Sequence, residues 1–123
     1  MIFNKKSFEE MNKLPATKQM LGYILYSKVA VNDFEFCKIL VKLGADVNYT
    51  IEKDYGATPL ILACEYGHLK IAYLLLENGA NPHIIDKKFN ENAFQHAINY
   101  GDQNLINLLE MYKKTPQIEA WMN

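Results

Sequence analysis

The side chains with the most reactive chemistry in this sequence are two thiols and three imidazoles. They belong to Cys37, Cys64, His68, His83 and His96. Zinc sites need such groups in close pairs, so that two ligands come from one turn or loop. These five residues do not show the paired close spacing of a zinc site. We therefore expect isolated cysteines and histidines, and no metal site.

Motifs for catalysis and cofactor binding are also absent from the sequence. No glycine-rich phosphate loop follows a strand pattern, and no serine or cysteine lies in a nucleophile motif. We therefore expect no catalytic residue, no cofactor and no enzymatic activity.

Composition and charge limit the class of partner. The chain has 123 residues, of which 50% are hydrophobic, enough for the core of one domain. The formal net charge of −1 lacks the basic excess that binding to nucleic acid requires. Residues 1–14 lack the apolar run of a signal peptide, and no later stretch is long and apolar enough for a membrane span. We expect a monomeric cytoplasmic protein with reduced thiols and neither a nucleic-acid nor a membrane partner.

An internal repeat organises the chain. Leu40, Gly44 and Ala45 recur as Leu75, Gly79 and Ala80. A second match runs from Ala63, Tyr66, Gly67, Leu74 and Leu75 to Ala97, Tyr100, Gly101, Leu108 and Leu109. The period is therefore about 34 residues, which is typical of stacked helical units. Three such units stand in register, and no unit could bury its apolar face alone.

The middle unit carries the residues of a known family. It contains the stretches Gly56-Ala57-Thr58-Pro59-Leu60-Ile61-Leu62-Ala63, Tyr66-Gly67-His68 and Gly79-Ala80-Asn81. This pattern resembles the ankyrin repeat, a unit of about 33 residues with a Thr-Pro-Leu-His-x-Ala signature. The first unit matches in its second half, over residues 40–48, and the third matches less closely. Ile61 replaces the signature histidine, and the loops are slightly longer than in the family.

The resemblance implies an all-α solenoid of helix-turn-helix units with short loop fingers and helical end caps. Local signals agree with it. Thr58 and Pro59 form a helix start, because the hydroxyl accepts a free N–H and proline lacks one. Gly67 ends that helix in a left-handed turn, for which Asn32 substitutes in the first unit. Asn92 replaces Thr58 as the cap in the third unit.

The whole chain is interpreted as one ankyrin-repeat domain. Its predicted parts are an N-terminal capping helix (1–15), repeat 1 (16–48), repeat 2 (49–83), repeat 3 with the C-terminal cap (84–114) and a tail (115–123). The capping helix is predicted from a Ser7-x-x-Glu10 capping box.

The end of the array is predicted from polar substitutions. At the positions of the third unit that align with Leu62, Ile61 and Leu76, the sequence has His96, Gln95 and Glu110. Polar residues there indicate a face that no further repeat covers. Pro116 is predicted to end the last helix. Trp121, in the tail, either packs back on the last repeat or docks elsewhere.

The resemblance also implies a function in binding another protein, through the loop tips and the exposed side of each first helix. Carried over onto this sequence, those positions are Tyr49, Asp54, Tyr55, Ala57, Glu65, Tyr66, Lys88, Phe89, Glu91, Asn99 and Tyr100. Tyr55 aligns with Phe89 and Tyr66 with Tyr100, which predicts aromatic pairs one repeat apart. For Tyr66 and Tyr100, packing of the groove is an equal alternative.

Two functional hypotheses follow from this surface. In the first, the protein is an adaptor, effector or inhibitor of the immunity-protein type that occludes or tethers a partner with its concave face. In the second, it is a self-associating scaffold piece of a larger repeat assembly.

Overall fold

Six α-helices follow one another in the computed structural model, which describes the backbone of residues 15–122 and the side chains of residues 17–112. They are α1 (Pro15–Ala30), α2 (Phe34–Lys42), α3 (Pro59–Glu65), α4 (Leu69–Glu77), α5 (Ala93–Tyr100) and α6 (Gln103–Met122). The described residues contain no strand, only an isolated bridge between Ile51 and Ala57. The predicted all-α helix-turn-helix fold is confirmed, whereas the predicted capping helix lies outside the described residues.

The helix starts are fixed by side-chain caps at the predicted residues. Thr58 Oγ1 accepts the N–H of Ile61 at 3.1 Å, and Pro59 opens α3. Asn92 and Gln95 form a reciprocal capping box at the start of α5. These bonds satisfy N–H groups that would otherwise lack partners at the starts of α3 and α5.

Left-handed residues turn each first helix back into its second helix. Gly67, between α3 and α4, has a φ of 73°, and Asn32, between α1 and α2, has a φ of 58°. Asparagine tolerates this conformation better than most residues with a β-carbon. Both predicted turns are confirmed.

The helices form two layers. The first helices α1, α3 and α5 pack side by side, and so do the second helices α2, α4 and α6. Fully buried Ala63 and Ala97 allow α3 and α5 to approach closely. The core between the layers includes Leu25, Leu60, Ile71, Leu75, Leu105 and Leu109. None of the helices within residues 15–122 combines the length and apolar character needed to cross a lipid bilayer.

Hydrogen bonds tie neighbouring loops together. The N–H of Asn81 donates to Asn48 Oδ1 at 2.7 Å, and Asn48 Nδ2 donates to the carbonyl of Gly79 at 3.1 Å. The N–H of Lys87 donates to the carbonyl of Tyr55 at 2.8 Å. Each loop is therefore held in register with the loop one repeat away.

The last helix differs from its prediction. α6 continues through Pro116 to Met122, so the prediction that Pro116 ends the helix is wrong. An internal proline removes one main-chain hydrogen bond but does not force the chain out of the helix, because bonds on either side remain. The predicted boundary at residue 114 lies inside this helix, and the side chain of Trp121 lies outside the described part.

The polar end face is confirmed for only two of its three residues. Gln95 and Glu110 are exposed, but His96 is buried. His96 occupies the position aligned with buried Leu62, and a buried carboxylate, that of Asp86, gives its imidazole a partner. A polar residue with a buried partner need not face solvent.

Candidate functional site

The tips of the second loop (residues 43–58) and the third loop (residues 78–92) each present an aromatic ring. Tyr55 is 52% exposed and Phe89 is 53% exposed. Tyr55 follows a single 3-10 turn, Glu52–Asp54, and has a left-handed φ of 59°. The bond from the Lys87 N–H to the Tyr55 carbonyl joins the two tips. The two rings therefore lie at matching places on adjacent loops.

A lysine ammonium lies near both rings. Lys88 Nζ is 5.8 Å from the ring centroid of Tyr55 and 5.2 Å from that of Phe89. Both distances fall within the range of cation–π attraction, in which the electron-rich face of a ring favours a positive charge. The aromatic pair is thus already in contact with a cation of its own chain.

A buried carboxylate fixes the tip that carries Phe89. Asp86 Oδ1 accepts the N–H of Phe89 at 2.7 Å, and Asp86 Oδ2 lies 2.6 Å from His96 Nε2. The N–H of Asp86 donates to the carbonyl of Glu91 at 3.0 Å. The Phe89 ring stands edge-on to the His96 ring, with centroids 6.1 Å apart. The third loop is therefore anchored to α5 beneath its exposed tip.

The charge state of Asp86 follows from these contacts. Burial alone raises the pKa of a carboxyl group, but the hydrogen bonds from the Phe89 N–H and from His96 outweigh it and lower the pKa of Asp86 below its ordinary value. Asp86 is consequently ionised at neutral pH and can only accept hydrogen bonds. An ionised carboxylate needs a donor, so His96 Nε2 is the N–H that donates this hydrogen bond to Asp86 Oδ2.

Asp54 is held in the second loop by a tyrosine of α1. The hydroxyl of Tyr26 donates to Asp54 Oδ2. Burial, followed by this bond to the carboxylate, raises the pKa of Tyr26. The contact joins the first helical pair to the loop that carries Tyr55.

A small cavity of about 30 Å³ lies between the two loops, α3 and α5. Its lining residues are Asp54, Ala57, Ile61, Glu65, Asp86, Lys88, Phe89 and His96. In the described part of the chain, no cation lies within 4.0 Å of the Glu65 carboxylate. Glu65, Lys88 and the Phe89 ring thus border the same small space.

Four other predicted contact residues, Tyr66, Glu91, Asn99 and Tyr100, lie around the paired loop tips, and some of them already contact other residues of the chain. Tyr66 and Tyr100 are about half exposed, but the Tyr100 ring covers Gly67, where a β-carbon would overlap it. Asn99 Nδ2 donates to Glu91 Oε2 at 2.9 Å on the exposed side of α5.

Two predicted contact residues are poorly placed to reach a partner. Ala57 is buried below the tip of the second loop. Tyr49 is half-buried, and its β-carbon would be only 2.7 Å from a β-carbon placed at Gly22 of α1.

Comparison with known proteins decides the family. Residues 15–86 match the family model described as ankyrin repeats, in three copies. This chain belongs to the ankyrin repeat family. Ankyrin repeats generally mediate protein–protein interaction, and the family is typically non-catalytic. The matched range ends before α5, so the pairing of α5 with α6 is known from the structure.

Related ankyrin proteins come from distant organisms. An ankyrin repeat protein of Acanthamoeba polyphaga mimivirus is 35% identical over 88 residues, which cover 72% of this chain and 52% of that protein. An ankyrin repeat and LEM domain-containing protein 1 homolog of Caenorhabditis elegans is 34% identical over 98 residues, covering 80% and 13%. A Rickettsia felis ankyrin repeat protein is 35% identical over 82 residues, covering 61% and 42%. This chain thus spans about half the length of the mimivirus protein and less of the other two.

Three residues important to this ankyrin surface were not among the predicted contacts. They are Asp86, His96 and Tyr26. Their side chains do not form the exposed surface, but their hydrogen bonds hold its loops in place. The sequence contained a signal that His96 is buried, because its repeat-aligned counterpart, Leu62, is an apolar core residue. It contained no signal for the hydrogen bonds of Asp86 and Tyr26, since their partners lie on other elements.

A larger apolar groove of about 600 Å³ lies between the second helices of the ankyrin stack. Its wall includes Phe34, Tyr73, Leu74, Leu108 and Met111. It lies on the layer opposite the paired loop tips. Among the described residues, no group of three or more His, Cys, Asp or Glu side chains is arranged to hold a metal ion.

Proposed function

We propose that this ankyrin repeat protein binds another protein through its loop-tip surface, and so occludes or tethers that partner as an adaptor, effector or inhibitor. The loop-tip surface comprises Asp54, Tyr55, Glu65, Tyr66, Lys88, Phe89, Glu91, Asn99 and Tyr100. Ala57 and Tyr49 are left out because of their burial.

The observation that carries this proposal is the fixed exposure of Tyr55 and Phe89. Each of these residues is about half exposed, although the backbone of each tip is held by hydrogen bonds. Rigid, exposed aromatic rings are the side chains that most often anchor protein interfaces, because little conformational entropy is lost when they bind. The two rings could be covered together by one partner surface.

Tyr66 and Tyr100 have a smaller part in the proposal. The Tyr100 ring already packs on Gly67, and the Tyr66 ring lies 5.8 Å from the His68 ring. Their contribution to binding is therefore expected to be smaller than that of Tyr55 and Phe89.

Site-specific photo-cross-linking tests the proposed surface. Phe89 in one variant and Tyr73 in another are replaced by p-benzoylphenylalanine; Tyr73 is a matched control, since it is 53% exposed on the opposite layer. We expect a specific adduct from position 89 that excess wild-type protein removes and excess Tyr55→Ala protein removes poorly. Adducts from position 73 alone, or equal competition by both proteins, would argue against the loop-tip surface.

Self-association is a second candidate, favoured by exposed apolar residues on the outermost first helices. Met20 and Tyr23 on α1 are 62% and 53% exposed, and Ile98 on α5 is 50% exposed. Another repeat stacked on either helix would cover them. Light scattering during gel filtration distinguishes the candidates, since stacking predicts a mass that rises with protein concentration and the first proposal predicts a constant monomer mass.

A further inference from the structure

The cation between the two rings indicates the chemistry of the partner. We propose that the space between Tyr55, Phe89 and Glu65 accepts an arginine or lysine side chain of the partner protein, and that Lys88 is an intrachain occupant which this side chain displaces. The inference rests on the proposed function and names the partner's chemistry at that surface.

The aromatic half of the site is already formed. The rings of Tyr55 and Phe89 lie on two loops joined by the Lys87 N–H to Tyr55 carbonyl bond, so neither ring has to be brought to the other. Lys88 Nζ lies 5.8 Å and 5.2 Å from their centroids. The rings therefore stand at a separation that lets one positive group contact both faces.

The acidic half of the site is unused by Lys88. Glu65 and Asp54 line the same cavity as Lys88 and Phe89. Within the described residues, however, no carboxylate lies within 4.0 Å of Lys88 Nζ, and Glu65 has no ion pair. Among the described residues, the contacts recorded for the Lys88 ammonium are those to the two rings.

A partner's basic side chain could approach from solvent and contact the rings and the Glu65 carboxylate at once. It would gain an ion pair that Lys88 lacks, and an arginine would also stack its planar guanidinium on a ring. The charges of the loop-tip surface favour a basic partner, since three exposed or half-exposed acids, Asp54, Glu65 and Glu91, outnumber its one lysine, Lys88. When the neighbouring exposed residues Glu52, Lys53 and Lys87 are included, acids still outnumber lysines by four to three.

An acidic partner is the opposite reading, in which Lys88 itself makes the contact. The two readings predict opposite effects of Lys88→Met, which removes the charge but keeps an aliphatic side chain of similar length. If a basic side chain displaces Lys88, the substitution strengthens binding. If an acidic group binds Lys88, the substitution weakens it.

The experiment is a titration of ¹⁵N-labelled protein, followed by NMR, with a capped tripeptide that has arginine between two glycines. A peptide of the same length with central glutamate is the comparison probe. We expect the arginine peptide to shift the amide signals of Tyr55, Glu65 and Phe89, and to bind about threefold more tightly to the Lys88→Met variant. Glu65→Gln should weaken it by a similar factor without changing the melting temperature.

Lys70→Met is the matched control, because Lys70 Nζ lies 4.7 Å from the Phe34 ring centroid on the other layer. It should leave the affinity for the arginine peptide unchanged. Absence of shifts at the three amides, preference for the glutamate peptide, or weaker binding by Lys88→Met would overturn the inference. The cross-linking experiment tests the proposed function independently, and that proposal fails if position 89 gives no specific cross-link to a partner.

Discussion

His96 Nε2 lies 2.6 Å from Asp86 Oδ2, and both side chains are buried. The other oxygen of the same carboxylate accepts the N–H of Phe89. One buried anion therefore connects helix α5 to the loop tip that carries an exposed ring. The position of Phe89 therefore depends on two buried side chains beneath it.

Replacing His96 tests this connection. His96→Leu restores the apolar residue found one repeat earlier at position 62, but it leaves the Asp86 carboxylate buried without its imidazole partner. We expect the free energy of unfolding to fall by about 1–3 kcal/mol. Urea denaturation of His96→Leu, Asp86→Asn and the double variant measures the coupling. If the two losses simply add, the residues do not act as a pair.

Acid should weaken the same network. The pKa of Asp86 is lowered in the folded protein, chiefly because hydrogen bonds from Phe89 and His96 overcome the opposing effect of burial. Its stabilisation is therefore present above the unfolded-state pKa, near 3.8, and is lost as pH falls through the lower folded-state value. The stability difference between wild type and Asp86→Asn should shrink below about pH 4. A difference that stays constant between pH 7 and pH 3 would contradict this assignment.

The two thiols should be inert in the folded protein. Burial raises the pKa of Cys37 and of Cys64 to about 12, and the charge of Asp33 adds to the effect at Cys37. Since the thiolate is the reactive form, a disulfide exchange reagent should react slowly with native protein and quickly in denaturant. Rapid reaction of either thiol without denaturant would show that its helix opens locally.

The turn at Gly67 should be more sensitive to substitution than the turn at Gly79. Both glycines have positive φ angles, 73° and 92°, but only at Gly67 would a β-carbon overlap a neighbour, the Tyr100 ring. The free energy of unfolding should therefore fall more in Gly67→Ala than in Gly79→Ala. It should fall still more in Gly67→Val, in which backbone strain alone costs about 1–3 kcal/mol.

Thermal melts of the glycine variants measure these losses. In a Tyr100→Ala background the excess at Gly67 should disappear. Equal losses at Gly67 and Gly79 in the wild-type background would show that the ring moves aside freely.

Much of the fold could be predicted because its signals are local. A cap such as Thr58 and a left-handed turn such as Asn32 act within a few residues of chain, and a period aligns one unit with the next. The end of α6 was mispredicted because Pro116 has only a local bias, which a continuing helix overrides.

The exposed rings of the candidate surface could be predicted, but the side-chain contacts that hold them could not. Alignment by the period placed Tyr55 and Phe89 at matching loop tips. It could not show that Asp86 and His96 pair across two elements, nor that the Lys88 side chain turns toward both rings. Such contacts depend on side-chain directions that sequence spacing does not contain.

The most direct test of the central claim is a calorimetric titration of the cross-linked partner, once purified, against three proteins. These are wild type, Tyr55→Ala/Phe89→Ala and the control Tyr73→Ala. We predict that the double variant raises the Kd by about thirtyfold or more, corresponding to about 2 kcal/mol, with a nearly unchanged melting temperature and an unaffected control. An unchanged Kd in the double variant, or a collapse of its thermal stability, would contradict the proposal that these two rings form the binding surface.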